Sequence, residues 1–167
     1  STPTTELTKQ VVDVTRPNVS FDQMTINIYN SRVYLAGKHT WEPITINLRE
    51  DVNNNVQKLV GEQLQKQFDF YEQSSAASGL DYKFATRIEI LDGGNGANTP
   101  TVLETFELYG CYLESANYNT LAYSAGTEPV TVTLAVRYDN AVQTPQGTGI
   151  GTAIGRTVNT LVTGAGA

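Results

Sequence analysis

The stretch Ile44–Tyr71, ITINLREDVNNNVQKLVGEQLQKQFDFY, decides the fold, because its apolar period changes partway along. Ile44, Ile46 and Leu48 alternate with Thr45 and Asn47, the period-2 pattern of a strand with one buried face. Pro43 stands at its start, where a strand tolerates proline best. From Val56 the spacing becomes three and four: Val56, Leu59, Val60, Leu64, Phe68 and Tyr71 share one helical face. Asn54, with Gln57 three residues on, has the form of an N-cap and capping box. Gly61 costs a helix interior only ~1 kcal/mol, too little to defeat six aligned apolar residues. The run Ser74-Ser75-Ala76-Ala77-Ser78-Gly79 is expected to end the helix in a loop.

Outward from this stretch the chain reads as strands. On the N-terminal side, Leu7–Val14 is strand-like, and Arg16-Pro17-Asn18 is a turn signal. Met24, Ile26 and Ile28 alternate with Thr25 and Asn27 as a half-buried strand, and Arg32–Ala36 returns as its partner after Asn30-Ser31. On the C-terminal side, Phe84, Ile88 and Ile90 share a face, opposite Arg87 and Glu89. Thr101–Glu114 is strand-like on either side of Gly110. Val130, Val132, Leu134, Val136 and Tyr138 alternate with Thr131, Thr133, Ala135 and Arg137 in the cleanest strand of all. The fold class expected is mainly β (α+β): an antiparallel, sandwich- or barrel-like domain over residues 1–142 with one helix packed on it. Residues 143–167, rich in glycine, threonine and alanine, read as a loosely held tail or a short helix that needs a neighbour.

Composition narrows the function classes. With 17 acidic against 11 basic residues the net charge is −6, which argues against affinity for nucleic acid, since phosphates are held by clustered Lys and Arg. A protein that merely lets nucleic acid pass is compatible with it. Cys111 is alone, so neither an intrachain disulfide nor a cysteine-based zinc site can form. No apolar run approaches a membrane span and no secretory signal opens the sequence. Ser1 follows no methionine, so a processed or trimmed start is expected.

Candidate chemistry is sparse. His39 has no second histidine to share a metal and no serine in a nucleophile-elbow context, so it reads as a solvent-facing turn residue. Trp41, beside Pro43, reads as cover for the edge of the core. Glu89, Asp92, Glu104, Glu107 and Glu114 are scattered, with no spacing that selects a glycosidase pair. Asp92-Gly-Gly-Asn-Gly96 lacks the Lys-Ser/Thr ending of a phosphate loop, and Gly147-Thr-Gly-Ile-Gly151 cannot be followed by a βαβ unit in the residues that remain. No catalytic, cofactor-binding or metal-binding residue is therefore expected, and no enzyme.

Several segments, in order, resemble the tail tube protein of contractile-tailed bacteriophages. They are Arg32-Val-Tyr-Leu-Ala-Gly37, then His39-Thr-Trp-Glu-Pro-Ile-Thr-Ile-Asn-Leu-Arg-Glu-Asp51, and the Asn-rich helix start with a helix closing in Gln67-Phe-Asp-Phe-Tyr71. The strand Tyr82–Asp92, the block Phe106-Glu-Leu-Tyr-Gly-Cys111 and the closing Arg137-Tyr-Asp-Asn140 complete the pattern, over roughly residues 5–142. It contains no catalytic signature. A strand expected upstream in that family is missing before Ser1, so the sequence is expected to begin inside the domain, and the tail after Gln143 is outside the pattern. The resemblance implies a structural protein: homohexameric rings stacked into a hollow tube, partnered by sheath, baseplate and tail-terminator proteins, that conducts DNA without binding it. It implies a place in the virion, assembled in the host bacterial cytoplasm, with no membrane partner, and a fold shared with the type VI secretion tube protein. A baseplate tube initiator of the same fold, or a carbohydrate- or receptor-binding β domain, is the alternative; a hydrolase using paired carboxylates ranks last.

Overall fold

The computed structural model describes residues 3–124, 126–147 and 149. Helix α1 (Pro3–Gln10) leads into strand β1 (Val11–Val14), so the strand expected over Leu7–Val14 is helical as far as Gln10. Leu7 packs partly buried against the core, a tertiary contact that local propensity does not encode. Strands β2 (Val19–Ile28) and β3 (Ser31–Trp41) form a long antiparallel hairpin, and β4 (Ile44–Arg49) follows.

Helix α2 (Asn55–Gln67) begins where the periodicity changes. Its cap is not the one the sequence suggested. Asn54 lies in the left-handed region at φ 55°, and its side chain makes no cap bond; side-chain capping needs an extended residue there. Carboxylates from the preceding strand end replace it. Asp51 Oδ1 accepts from the Asn55 N–H at 3.2 Å and Glu50 Oε2 from the Gln57 N–H at 3.1 Å. They put negative charge at the positive end of the helix dipole. Val56 and Val60 are buried, while Leu59 and Leu64 are half-buried. The helix stops before the apolar face runs out, because Asp69 Oδ1 captures the N–H groups of Tyr71 and Glu72 at 2.9 and 3.2 Å. Phe68 therefore starts the small hairpin of β5 (Phe68–Asp69) and β6 (Ser74–Ser75), and Tyr71 stands exposed in its turn.

A 3₁₀ turn (Gly79–Asp81), capped by Ser78 and Asp81, precedes β7 (Phe84–Leu91). Then come the long β8 (Val102–Asn117), β9 (Thr131–Arg137) and β10 (Asn140–Thr144). The main sheet has the order β1-β4-β9-β8-β10, with β7 also on β8; every pairing is antiparallel and the sheet curls into a half-barrel. Beta10 extends to Thr144, two residues into the segment read as tail; that tail lies beyond Gly149 outside the described residues.

Beta8 changes partners at Gly110. Up to Cys111 it pairs with β7 on one side, and over Thr105–Tyr109 with β10 on the other; from Tyr112 it pairs with β9. Gly110 has φ +68°, and a Cβ there would point into the Asp139 carboxylate. Only glycine fits this bend. Asp139 is fixed by its own N–H to the Tyr109 carbonyl (2.9 Å) and by Lys83 Nζ (2.8 Å), a bond that raises the lysine pKa.

The core lies between α2 and one face of this sheet: Ile44, Leu48, Val56, Val60, Leu108, Cys111, Leu113, Val132, Leu134, Val136 and Tyr138. The alternating residues that the sequence singled out in β4 and β9 are its centre. Among the described residues no helix is long and apolar enough to cross a membrane.

Candidate functional site

Two surfaces stand out among the described residues. The first is the sheet face opposite α2. The register places Asp13, Asn47, Thr133 and Asn117 side by side across β1, β4, β9 and β8. Thr45, Ala135 and Ser115 form the row on one side of it, and Arg49 and Thr131 the row on the other. The polar side chains bond to one another: Asn47 Nδ2 donates to Asp13 Oδ1 at 2.6 Å, and Thr133 Oγ1 donates to Asn47 Oδ1 at 2.7 Å. Asn119 Nδ2 donates to both the carbonyl and the hydroxyl of Thr131 at 2.9 and 3.0 Å. The result is a wet hydroxyl and amide surface with Arg49 and Arg137 near its ends, as an antiparallel sheet with one solvated face should have.

The second surface is the β2–β3 hairpin. The run from Met24 to Ile28 was expected to be a half-buried strand, yet every residue of β2 is exposed. Alternation identifies an apolar face but says nothing of what covers it. A bulge divides the hairpin: Phe21 faces His39, but Gln23 faces Ala36, so β3 carries an extra residue around Gly37-Lys38. A Cβ on Gly37 would sit 2.9 Å from the Asp22 carbonyl oxygen, so close a crossing demands glycine. Near the root, the apolar side chains Val19, Phe21 and Trp41 share a face with His39. Beyond the bulge Met24, Ile26, Ile28, Val33 and Leu35 lie on the opposite face, each at least 40 % exposed.

The residues singled out from the sequence fall as follows. His39 is in strand β3, not in a turn, between Phe21 (6.1 Å) and Trp41 (6.3 Å). Trp41 covers the core edge as expected, its ring 5.8 Å from Tyr138 and its Nε1 donating to Asn140 Oδ1 at 3.2 Å. Cys111 is fully buried, burial raises its thiol pKa, and Sγ donates to the Leu108 carbonyl at 3.4 Å. Asp92 organises its glycine loop, accepting from the N–H groups of Thr101 and Gly94 and from the Thr101 hydroxyl, all at 2.9 Å. These bonds, led by the Thr101 N–H, hold its pKa below the usual carboxylate value. Glu89 and Glu107 flank Arg87 at 2.9 and 4.0 Å, and Glu107 also accepts from the Tyr109 hydroxyl at 2.6 Å. Glu104 accepts from Gln143 at 2.8 Å. Among the described residues no three His, Cys, Asp or Glu side chains converge on a point that could hold a metal. The Gly147–Gly151 run is described only at Gly147 and Gly149.

No family model matches the chain, and no curated protein matches it in sequence. Solved structures do. A chain of an extracellular contractile injection system, in its PVC sheath–tube complex in the extended state, superposes with TM-score 0.58 at 12 % identity, over 80 % of this chain and 79 % of that one. A chain of the anti-feeding prophage cap that terminates the tube gives 0.57 at 14 %, over 79 % and 80 %. A chain of the anti-feeding prophage baseplate gives 0.55 at 11 %, over 82 % and 80 %. The chain thus has the tail-tube fold of contractile injection systems, the fold that Hcp shares.

Proposed function

We propose that this protein is a structural subunit of the tube of a contractile tail. Copies form hexameric rings that stack, with the hydroxyl and amide face of the half-barrel toward the lumen and α2 toward a surrounding sheath. In a phage virion, assembled in the host cytoplasm, such a tube conducts DNA into the next cell, capped by a terminator and seated on a baseplate.

The observation that carries this reading is the pair of open surfaces on one fold. A curled sheet with a solvated polar face is a segment of a barrel wall that needs further segments to close. The hairpin's distal apolar face, exposed among the described residues, gains a cover when another copy packs on it. Hydroxyls and amides make a wall with few cations for phosphates to grip, so DNA can pass without being retained. Likeness to chains of a baseplate and of a cap keeps a second reading, a tube initiator or end piece of the same fold.

Negative-stain imaging and mass measurement of the purified chain test the proposal. Rings or long tubes are expected for a tube subunit, and single rings that never stack for an initiator. A soluble monomer at high concentration, with glycan affinity, would replace both readings with a binding module.

A further inference from the structure

Gln67, the last residue of α2, lies against an edge of β8 that no strand among the described residues covers. Beta7 accompanies β8 only as far as Cys111, opposite Phe84. Leu113 comes next on that side, and β9 occupies its other side. Leu113 is 6 % exposed, so water does not serve its backbone groups. Both are taken by one side chain. The Leu113 N–H donates to Gln67 Oε1 at 2.8 Å, and Gln67 Nε2 donates to the Leu113 carbonyl at 2.9 Å. A carboxamide carries the same donor and acceptor as a peptide group, so Gln67 stands where the next residue of a neighbouring strand would pair.

Gln63, one turn earlier, holds it there. Its Nε2 donates to Gln67 Oε1 at 3.4 Å and to the Tyr82 carbonyl at 2.8 Å, two residues before β7 begins. The amide orientation of Gln67 is thus set from both sides: Oε1 meets two N–H donors and Nε2 meets a carbonyl. An open strand edge is a template for another chain, and proteins block such edges explicitly. We propose that Gln67, positioned by Gln63, is an edge guard: it stops a second copy of this chain from adding a strand to β8, and so confines strand pairing between copies to other edges of the sheet.

The rival account is that Gln67 merely satisfies two buried polar groups. That account predicts lost protection without new association, and the guard predicts both. The guard does not rest on the tube reading, since the edge is closed whatever the assembly is. The experiment follows amide hydrogen exchange at Leu113, with Val132 as the core control, and the distribution of assembled species by sedimentation. It uses the full chain and its Gln67→Leu and Gln67→Glu variants. Gln67→Leu removes both bonds, and Gln67→Glu keeps the acceptor but sets an oxygen against the Leu113 carbonyl. In both, Leu113 exchange is expected to accelerate by about tenfold or more while Val132 is unchanged. A new, thioflavin-positive associating species should also appear that the parent does not form. Unchanged Leu113 exchange overturns the proposal, as does faster exchange with the parent's own pattern of species. Outright unfolding of both variants overturns it too, since a plug on an edge should not be required by the core. If the parent forms no rings, the tube reading fails and the exchange comparison still judges the guard.

Discussion

Replacing Gly110 with alanine tests how the sheet acquires its bend. The glycine stands at φ +68°, where an L-residue costs ~1–2 kcal/mol in local sterics. A stiffer unfolded chain returns roughly 0.4–1 kcal/mol of this. The added methyl also meets Asp139, whose Cγ and Cβ lie 2.7 and 3.2 Å from the new atom. The carboxylate can swing away only by leaving Lys83, and the Asp139 Cβ cannot leave without moving the β9–β10 turn. Crowding of this kind costs ~1–3 kcal/mol. The exposed ion pair contributes little. The net expectation is a loss of about 2 kcal/mol, which for a chain of this size lowers Tm by roughly 4–8 °C.

Thermal unfolding followed by circular dichroism measures this loss, and a cycle with Asp139→Ala separates the causes. Removing the carboxylate should restore the crowding part and leave the handedness part, giving a coupling of ~0.5 kcal/mol or more. A Gly110→Ala protein as stable as the parent would show that β8 does not need a left-handed residue there. A cycle that is simply additive would show that Asp139 does not lean on Gly110.

Leu108→Ala, at a fully buried position, should cost ~2–5 kcal/mol, and Leu64→Ala, half-buried on α2, clearly less; chemical denaturation ranks the two, and equal losses would contradict this difference in burial. The lowered Asp92 pKa means that its loop bonds stabilise the fold above the ordinary carboxylate value and are lost as the pH falls through the lowered one. Protection of the Thr101 amide should accordingly persist at pH 3.8 and fail only in stronger acid, whereas in Asp92→Ala it should be absent at every pH. His39→Gln combined with Cys111→Ser should still assemble, because serine can keep the donation to Leu108 and no activating partner of either residue stands among the described residues; imaging that shows folded but unassembled protein would reveal an interface role for one of them.

The alternating strands were legible because alternation is a direct image of a sheet with two different faces. Ile44 and Leu48, or Val132, Leu134 and Val136, face the core, and Thr45, Asn47, Thr131 and Thr133 between them form the wet wall. Alpha2 was legible for the same reason at a different period. What was not legible depends on contacts between distant residues. Alpha1 is too short to declare itself without the core that Leu7 touches. The cap on α2 comes from Glu50 and Asp51, which lie before the Asn54 position where the local pattern puts a cap. Gln67 carries no local signal of its role, because its bonds to Leu113 span 46 residues.

The hairpin marks the limit of what the single chain explains. Near its root the apolar face turns toward Trp41, which rests on Tyr138 in the molecule's own core. Past the bulge at Gly37 the apolar residues lie on the other side of the ribbon. One body cannot cover both faces of a two-stranded ribbon at once, and a ribbon left in water is at best marginally stable. Without the bulge, β3 would keep its phase and Lys38 would stand among the apolar residues beyond it. The extra residue instead keeps Leu35 and Val33 beside Met24 and Ile26, making a continuous distal patch that stays exposed among the described residues. A sequence that keeps such a patch in register, turned away from its own core, presents a continuous apolar surface that the described residues leave exposed.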